Sequence, residues 1–194
     1  RTLFWSLAVA CAALSAVLIF SSRLEQALIS QAGELLAADL VVSSRLPIPT
    51  EVRDLANSLP LEQSESVEFP TVVFAGDESL LVAVKSVAAK YPLRGRLQTS
   101  NTLTETGMET DALPASGEAW AEPRLFTELG IEAGDIVDIG YGQVRMTQVL
   151  RFEPDRAGNF YSLSPRLLMN LDDAKAAELL GEGARLNYRL LLAA

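Results

Sequence analysis

Few residues of this chain are of a type and spacing that could do chemistry. Asp172 and Asp173 are adjacent carboxylates, and Glu132, Asp135 and Asp138 surround a predicted turn. The first pair precedes the helical pattern AKAAEL, where acidic residues complement the positive end of the helix dipole. The second set reads as solvated turn charge. Ser116-Gly117 is not a nucleophile elbow, and the chain contains no histidine that could activate a serine or ligate a metal. Gly140-x-Gly142 lacks the third glycine and the following helix of a dinucleotide fingerprint and reads as a hairpin turn. No phosphate-binding loop of the Walker type is present. The residue pattern thus yields no catalytic, cofactor-binding or metal-binding residues.

One short stretch stands apart. Tyr91, Pro92, Leu93, Arg94 and Gly95 place an aromatic, two apolar groups and one cation at the end of a predicted strand. Pro92 fixes φ and Gly95 permits positive φ, so the stretch reads as a structural turn. It also reads as an interaction loop with Arg94 as the contact.

These residues need elements to position them. Residues 3–20 are apolar except for Ser6 and Ser15. As a helix they span roughly 27 Å, close to the hydrocarbon thickness of a bilayer. Phe4 and Trp5 sit at one end, as interfacial aromatics do. A cleaved signal peptide needs a small-x-small site, which LIFSSRLEQ does not offer, and a core helix is rarely apolar on every face. A membrane span is therefore expected. Beyond Ser22, Leu24, Leu28, Leu35 and Leu36 recur at helical spacing among polar residues, and Gln31 lies on this stretch. One helix continuing from the bilayer to about residue 38 follows, a stalk bearing Leu24, Leu28, Gln31 and Leu35. The alternative is two helices bent at Ser21-Ser22.

The remainder predicts a strand over 38–45 and a helix over 51–58 capped by Thr50. Strands over 67–74 and 80–87 follow, joined by a Gly76-Asp77 turn and carrying an irregularity at Pro70. Residues 99–117 read as a loop or linker. Then come a strand over 118–122, a helix opened by Pro123 and closed by Gly130, and two strands within 131–152. A turn over 153–159, helical turns over 164–181 and a last strand over 184–194 complete the chain.

Hydrophobic residues make up 49% of the 194 and charged residues 21%, a globular composition with one apolar segment. The net charge is −9, with no basic stripe, so nucleic acid is excluded as a partner. The single cysteine, Cys11, rules out an internal disulfide.

The ordered series GELLAADLVVSSR, FPTVVFAGD, LVAVKSVAAKYPLRGRL, WAEPRLFTELGIEAGDIVDIG, EPDRAGNFYSLSPRLLMNLDD and ARLNYRLLLA resembles the FtsX-like, MacB-type group of bacterial ABC transporter permeases. The resemblance implies an α+β chain: a transmembrane and stalk helix over 1–38, then a periplasmic core with a β-α-β-β unit over 39–116 and 155–194. A small β-rich subdomain, 117–154, would be inserted in that core. It implies a bacterial inner-membrane permease subunit without an ATPase motif or cofactor, partnered by a cytoplasmic ABC ATPase, by membrane lipid and by a periplasmic protein. ATP-driven motion would pass along the stalk to the periplasm to move a lipid, lipoprotein or other hydrophobic compound. At least three more apolar spans would follow residue 194. The long hooked hairpin of the lipoprotein-releasing relatives has no counterpart here. The competing reading is a membrane-anchored extracytoplasmic sensor or scaffold domain that binds a ligand.

A lever must be stiff. Proline at Gln31 would remove one helical hydrogen bond and clash with the preceding turn, a loss of about 3 kcal/mol or more. Gln31→Pro is expected to leave membrane insertion and expression near normal but to abolish complementation of a deletion strain, whereas Gln31→Ala complements. Equal complementation by both variants would remove the case for a rigid stalk.

Overall fold

The long strands decide the architecture. The computed structural model describes residues 5, 14–24, 36–156, 163–181 and 183–194. Residues 14–24 are helical, and their apolar side chains are exposed on every face, Leu18 at 70% and Phe20 at 69%. Most of the expected span and stalk, including Leu28, Gln31 and Leu35, lies outside the described residues; Leu24 lies within them and is exposed. Among the described residues no helix is long and apolar enough to cross a membrane.

From residue 40 the chain alternates strands with short helices: β1 (Leu40–Ser44), α1 (Thr50–Asn57), β2 (Glu62–Ala75), β3 (Glu78–Val87), β4 (Leu97–Ser100), β5 (Met108–Thr110) and β6 (Glu118–Ala121). Then follow α2 (Pro123–Leu129), β7 (Ile136–Ile139), β8 (Gly142–Phe152), a single 3-10 turn (Pro154–Arg156), β9 (Arg166–Asn170), α3 (Leu171–Ala176) and β10 (Asn187–Ala193). The chain is thus a mixed helix-and-strand protein.

The ladders close on themselves. β2 pairs β3, β3 pairs β9, β9 pairs β6, β6 pairs β8, β8 pairs β7, and β7 returns to β2. The result is a small barrel. Two arms leave it: β10 and β1 extend from the first half of β2, and β4 and β5 from the last part of β8. Strands β6, β7 and β8, from the stretch 117–154, thereby share one sheet with strands on either side of it in sequence.

Each long strand serves two neighbours on one edge. β2 gives residues 62–68 to β10 and Val73–Phe74 to β7. Pro70 sits between them. The Ala83 amide, opposite Pro70, donates to Pro165 and so points away from β2; the Pro70 nitrogen correspondingly faces the gap between β10 and β7. A missing N–H is harmless at that one place.

Alternation fills the barrel. Val67, Phe69 and Val73 of β2, Val82 and Val84 of β3, Leu167 and Met169 of β9, Val137 and Ile139 of β7, and Val144 and Met146 of β8 form one buried cluster. β6 contributes only Ala119 and Ala121, and the helix after it adds Leu125, Phe126 and Leu129. A register shift between Ala119 and Trp120 takes up one extra β8 residue, which turns Val149 inward and Leu150 outward. A second buried cluster, including Val87, Tyr91, Trp120, Leu150, Leu168 and Leu191, covers the outer wall. Helix α1 packs Ala56 on Leu190 and Leu192 of β10.

Three local expectations differ from the structure. Residues 166–170 are a strand, not helical turns. Arg166, Leu167, Leu168 and Met169 are all buried, so β9 carries no alternation to distinguish it from a buried helix. The polar stretch 99–117 contains the end of β4 and all of β5. Thr50 is the first residue of α1 and Pro49 its N-cap, with no side-chain cap hydrogen bond. The Pro123 start and the Gly130 stop of α2, with Gly130 at φ 64°, are as the sequence predicts.

The β7–β8 turn supplies a stability test. Gly140 has φ +58°, and a Cβ there would lie 2.6 Å from the Ala177 carbonyl oxygen and 2.6 Å from Leu179 Cδ2. Gly117 also has positive φ but nothing within 4 Å. Gly140→Ala should therefore lower the unfolding free energy by about 2–4 kcal/mol and Gly117→Ala by about 1 kcal/mol, read by urea titration. Equal losses would contradict the close approach.

Candidate functional site

The outer wall of the barrel carries charge where apolar residues are expected. Glu68 of β2 stands directly across from Lys85 of β3. Arg166 of β9 and Arg189 of β10 lie on the same face of the flanking strands. The chain leaving β8 folds its 3-10 turn over them and brings in Glu153 and Asp155. Lys85 is 0% exposed, Arg166 2%, Glu153 3% and Asp155 5%. Charges this deep must be paired, because each loses several kcal/mol of hydration.

They are paired. The Lys85 ammonium donates to both Asp155 oxygens at 2.6 Å and to the Tyr91 hydroxyl at 2.8 Å. It also lies 3.1 Å from Glu153 and 3.5 Å from Glu68. Arg166 donates from Nε to Glu153 at 2.8 Å, and Arg189 donates to Asp155 and, at 3.2 Å, to Glu68. The Tyr91 hydroxyl reaches Asp155 at 2.7 Å and Glu153 at 3.0 Å. Lys85, Arg166 and Arg189 thus balance Glu68, Glu153 and Asp155.

The electrostatics follow from that balance. Burial pushes the Asp155 carboxyl up, but Lys85 and Arg189 outweigh it and hold the group at about 2, against an ordinary 3.8. Burial likewise acts against ionised Glu153, and Lys85 and Arg166 bring it below the usual range. Burial and then the two carboxylates push the Tyr91 phenol well up, so it remains a neutral donor. The arrangement fastens β2, β3, β9, β10 and the exit of β8 together.

The stretch 91–95 joins this cluster to the place where the N-terminal segment enters the domain. Tyr91 is buried in the charge cluster and Leu93 in the apolar cluster beside it. Leu36 is helical and Ala37 takes φ 58°. The Ala37 carbonyl accepts from the amides of Leu93 and Arg94 at 2.9 and 3.0 Å. Ala37 and Ala38 are both fully buried.

Arg94 then makes a fork. Its Nε and Nη2 donate to the two Asp39 oxygens at 2.9 and 2.6 Å, and Nη2 also donates to the Ala194 carbonyl at 2.7 Å. Asp39 accepts in turn from the Ala194 amide at 3.0 Å, and the Asp39 amide donates to Leu192 at 3.0 Å. The Ala194 amide, then the Arg94 guanidinium, keep the Asp39 carboxyl below its usual range. The pair is half-exposed, so it contributes about 1 kcal/mol or less; its value is positional. The sequence-predicted loop residues Tyr91, Leu93 and Arg94 are therefore brought to one junction, while Pro92 lies between cluster and fork and Gly95, at φ 75°, turns the chain just after the fork.

The other sequence candidates lie apart. Asp172 and Asp173 occupy the first turn of α3; Asp173 accepts from Ser116 Oγ at 2.7 Å and from the Gly117 amide at 2.8 Å. Asp135 accepts from the Glu132 amide, and Asp138 from Gln143. Among the described residues no group of acidic or sulfur side chains could hold a metal ion.

Sequence reasoning missed the charge cluster. A signal was available. Lys85 shares its face of β3 with Ala83 and Val87, and Arg166 shares its face of β9 with Leu168. A cation flanked at both i±2 positions by apolar residues, as Lys85 is, does not face water; Arg166, with Ser164 at i−2, carries only half of that signal.

Over 184 residues the chain is 33% identical to an uncharacterised ABC transporter permease, YbbP, of Escherichia coli K12, covering 95% of this chain. The chain is related to a segment of an ABC transporter permease. It spans 22% of that relative's length. Among solved structures it is similar to the extracellular domain of YknZ, a noncanonic ABC-type transporter from Gram-positive bacteria, with a TM-score of 0.45, 13% identity and coverage of 66% of this chain and 63% of that one. It is also similar to a domain of a protein assigned as a permease from Porphyromonas gingivalis, with a TM-score of 0.47, 11% identity and coverage of 78% and 73%. No family model matches.

Lys85→Met would leave three buried carboxylates facing two guanidiniums. The expected loss is about 3–5 kcal/mol of unfolding free energy. Asp155 and Glu153 ionise more readily folded than unfolded, so their contribution is complete above about pH 5. It falls as pH drops from about 4 towards 2. Urea titrations across this range should show that decline in the parent and a shallower one in Lys85→Met. A loss under about 1 kcal/mol, or parallel pH profiles, would count against the cluster as the fastener.

Proposed function

We propose that this chain is the anchor and first extracytoplasmic domain of an FtsX-like, MacB-type permease of the bacterial inner membrane. A separate cytoplasmic ABC ATPase supplies the energy, and the domain transmits movement rather than performing catalysis. The observation that carries this reading is the junction at Arg94. The entry segment, Ala37 to Asp39, is hydrogen-bonded both to the loop 93–94 and to Ala194 after β10. A displacement at Ala37–Asp39 therefore acts on the last strand and the loop together. The fully exposed apolar faces of residues 14–24 support the membrane anchor. The relationship to an ABC transporter permease over 95% of the chain supports the ATPase partnership. The cargo in this reading is a lipid, lipoprotein or other hydrophobic compound, handed to a periplasmic protein.

Arg94→Ala tests it. The variant keeps Tyr91 and Leu93 in place, so its unfolding free energy should drop by only about 1 kcal/mol. In the assembled transporter it should leave ATP hydrolysis near the parent rate while sharply reducing cellular complementation. Full complementation by a folded Arg94→Ala variant would show that the junction does not carry the coupling.

A further inference from the structure

The domain is acidic, with 25 Asp and Glu against 16 Lys and Arg in the whole chain. An arginine on such a surface readily finds a carboxylate or carbonyl. Among the described residues from 36 onward, the Lys and Arg side chains have a hydrogen-bond or ion-pair partner, with two exceptions. The exceptions are Arg45 and Arg185, and both line the same hollow.

That hollow has a volume of about 810 Å³ and is walled by Arg45, Ala184, Arg185, Leu186 and Asn187. Its place in the fold explains the pairing. The β1–β10 ladder ends at Ser44 opposite Tyr188, so Arg45 leaves the sheet where the segment 183–186 enters β10. Two like charges held at one concavity repel each other, and among the described residues no carboxylate pairs with either. An anion does. A guanidinium binds a phosphate or carboxylate through two parallel N–H bonds, and the Asn187 amide offers a further donor. The volume lies in the range of small-ligand sites. Ala184 and Leu186 give the wall an apolar part, and Leu46, next to Arg45, is 73% exposed.

We propose that this hollow binds a phosphate monoester, with Arg45 and Arg185 holding the phosphate and the apolar wall accepting a short hydrophobic portion of the ligand. The proposal does not rest on the transmission reading. It is measured on the purified chain without ATPase or cells, so the failure of one leaves the other standing.

The test is titration calorimetry on the full chain in a neutral detergent. The probes are dihexanoyl phosphatidic acid, dihexanoyl phosphatidylcholine and inorganic phosphate. Saturable binding of the phosphatidic acid is expected, at least tenfold tighter than that of the phosphatidylcholine and weakened by added salt. Arg45→Gln/Arg185→Gln should weaken it at least tenfold. Arg145→Gln, an exposed arginine elsewhere that donates to the Gly134 carbonyl, should leave it unchanged. Competition by inorganic phosphate at comparable concentration would identify free phosphate as a sufficient ligand; competition only at far higher concentration would identify the lipid. Either supports the phosphate site. Equal binding of the two lipids, absence of saturable binding, or undiminished binding in the double Gln variant would overturn it. Both arginines are exposed, so the double variant is expected to fold; an unchanged thermal midpoint confirms this before the titration.

Discussion

An ammonium group with no access to water is the constraint on which the rest depends. Lys85 lies near the C-terminal end of β3 and is completely covered. Left unpaired it would lose its charge or unfold the strand. Its position therefore requires carboxylates, and the chain supplies them from two distant places, Glu68 on β2 and the pair Glu153 and Asp155 after β8. Those carboxylates exceed what one lysine can neutralise, so Arg166 and Arg189 are drawn in from β9 and β10. A buried ion network is a weak source of net stability but a strict specifier. Any register other than the observed one would strand a charge. The closed barrel, the placement of β9 beside β3 and the course of the 3-10 turn are mutually fixed for this reason.

The same constraint reaches the junction through one short loop. Tyr91 gives its hydroxyl to the cluster, and two residues later the backbone of Leu93 and Arg94 holds the Ala37 carbonyl. A residue without glycine's freedom adopts φ 58° at Ala37, at an expense of about 1–2 kcal/mol. The two amides at that carbonyl and the complete burial of Ala37 and Ala38 offset it. The entry point is thus defined by packing and hydrogen bonds rather than left as a hinge.

Much of this was legible in the sequence, and the parts that were not share a physical cause. Strands β1, β3 and β10, the α2 boundaries and the β7–β8 turn follow from alternation, Pro123, Gly130 and Gly140. Strand β9 was not legible, because both of its faces are buried and its residues, RLLMN, suit a helix equally well. The importance of the stretch 91–95 could be suspected from its composition. Its partners could not, since Asp39 and Ala194 are 55 and 100 residues away from Arg94. The charge cluster is long-range in the same sense: Lys85 and Asp155 are 70 residues apart. Local periodicity carries no information about which acid finds which base. Only the i±2 neighbours of Lys85, Ala83 and Val87, betrayed that this cation is inside.

The division of labour among the arginines completes the physical account. Arg166 and Arg189 are internal and fix the fold. Arg94 is half-exposed and sits where the chain enters and β10 ends, so its loss changes alignment more than stability. Arg45 and Arg185 make neither kind of contact. In a chain with an excess of carboxylates, a guanidinium without a partner is the unusual case, and two at one concavity are more so. Their exposure means that folding does not depend on them. The energy of binding an anion there is consequently available to shift β1 relative to the segment that leads into β10. β10 is also the strand that ends at the Arg94 junction. A ligand in the hollow and a displacement at the entry point therefore act on opposite ends of one strand, and by linkage each must alter the free energy of the other if the strand moves as a unit.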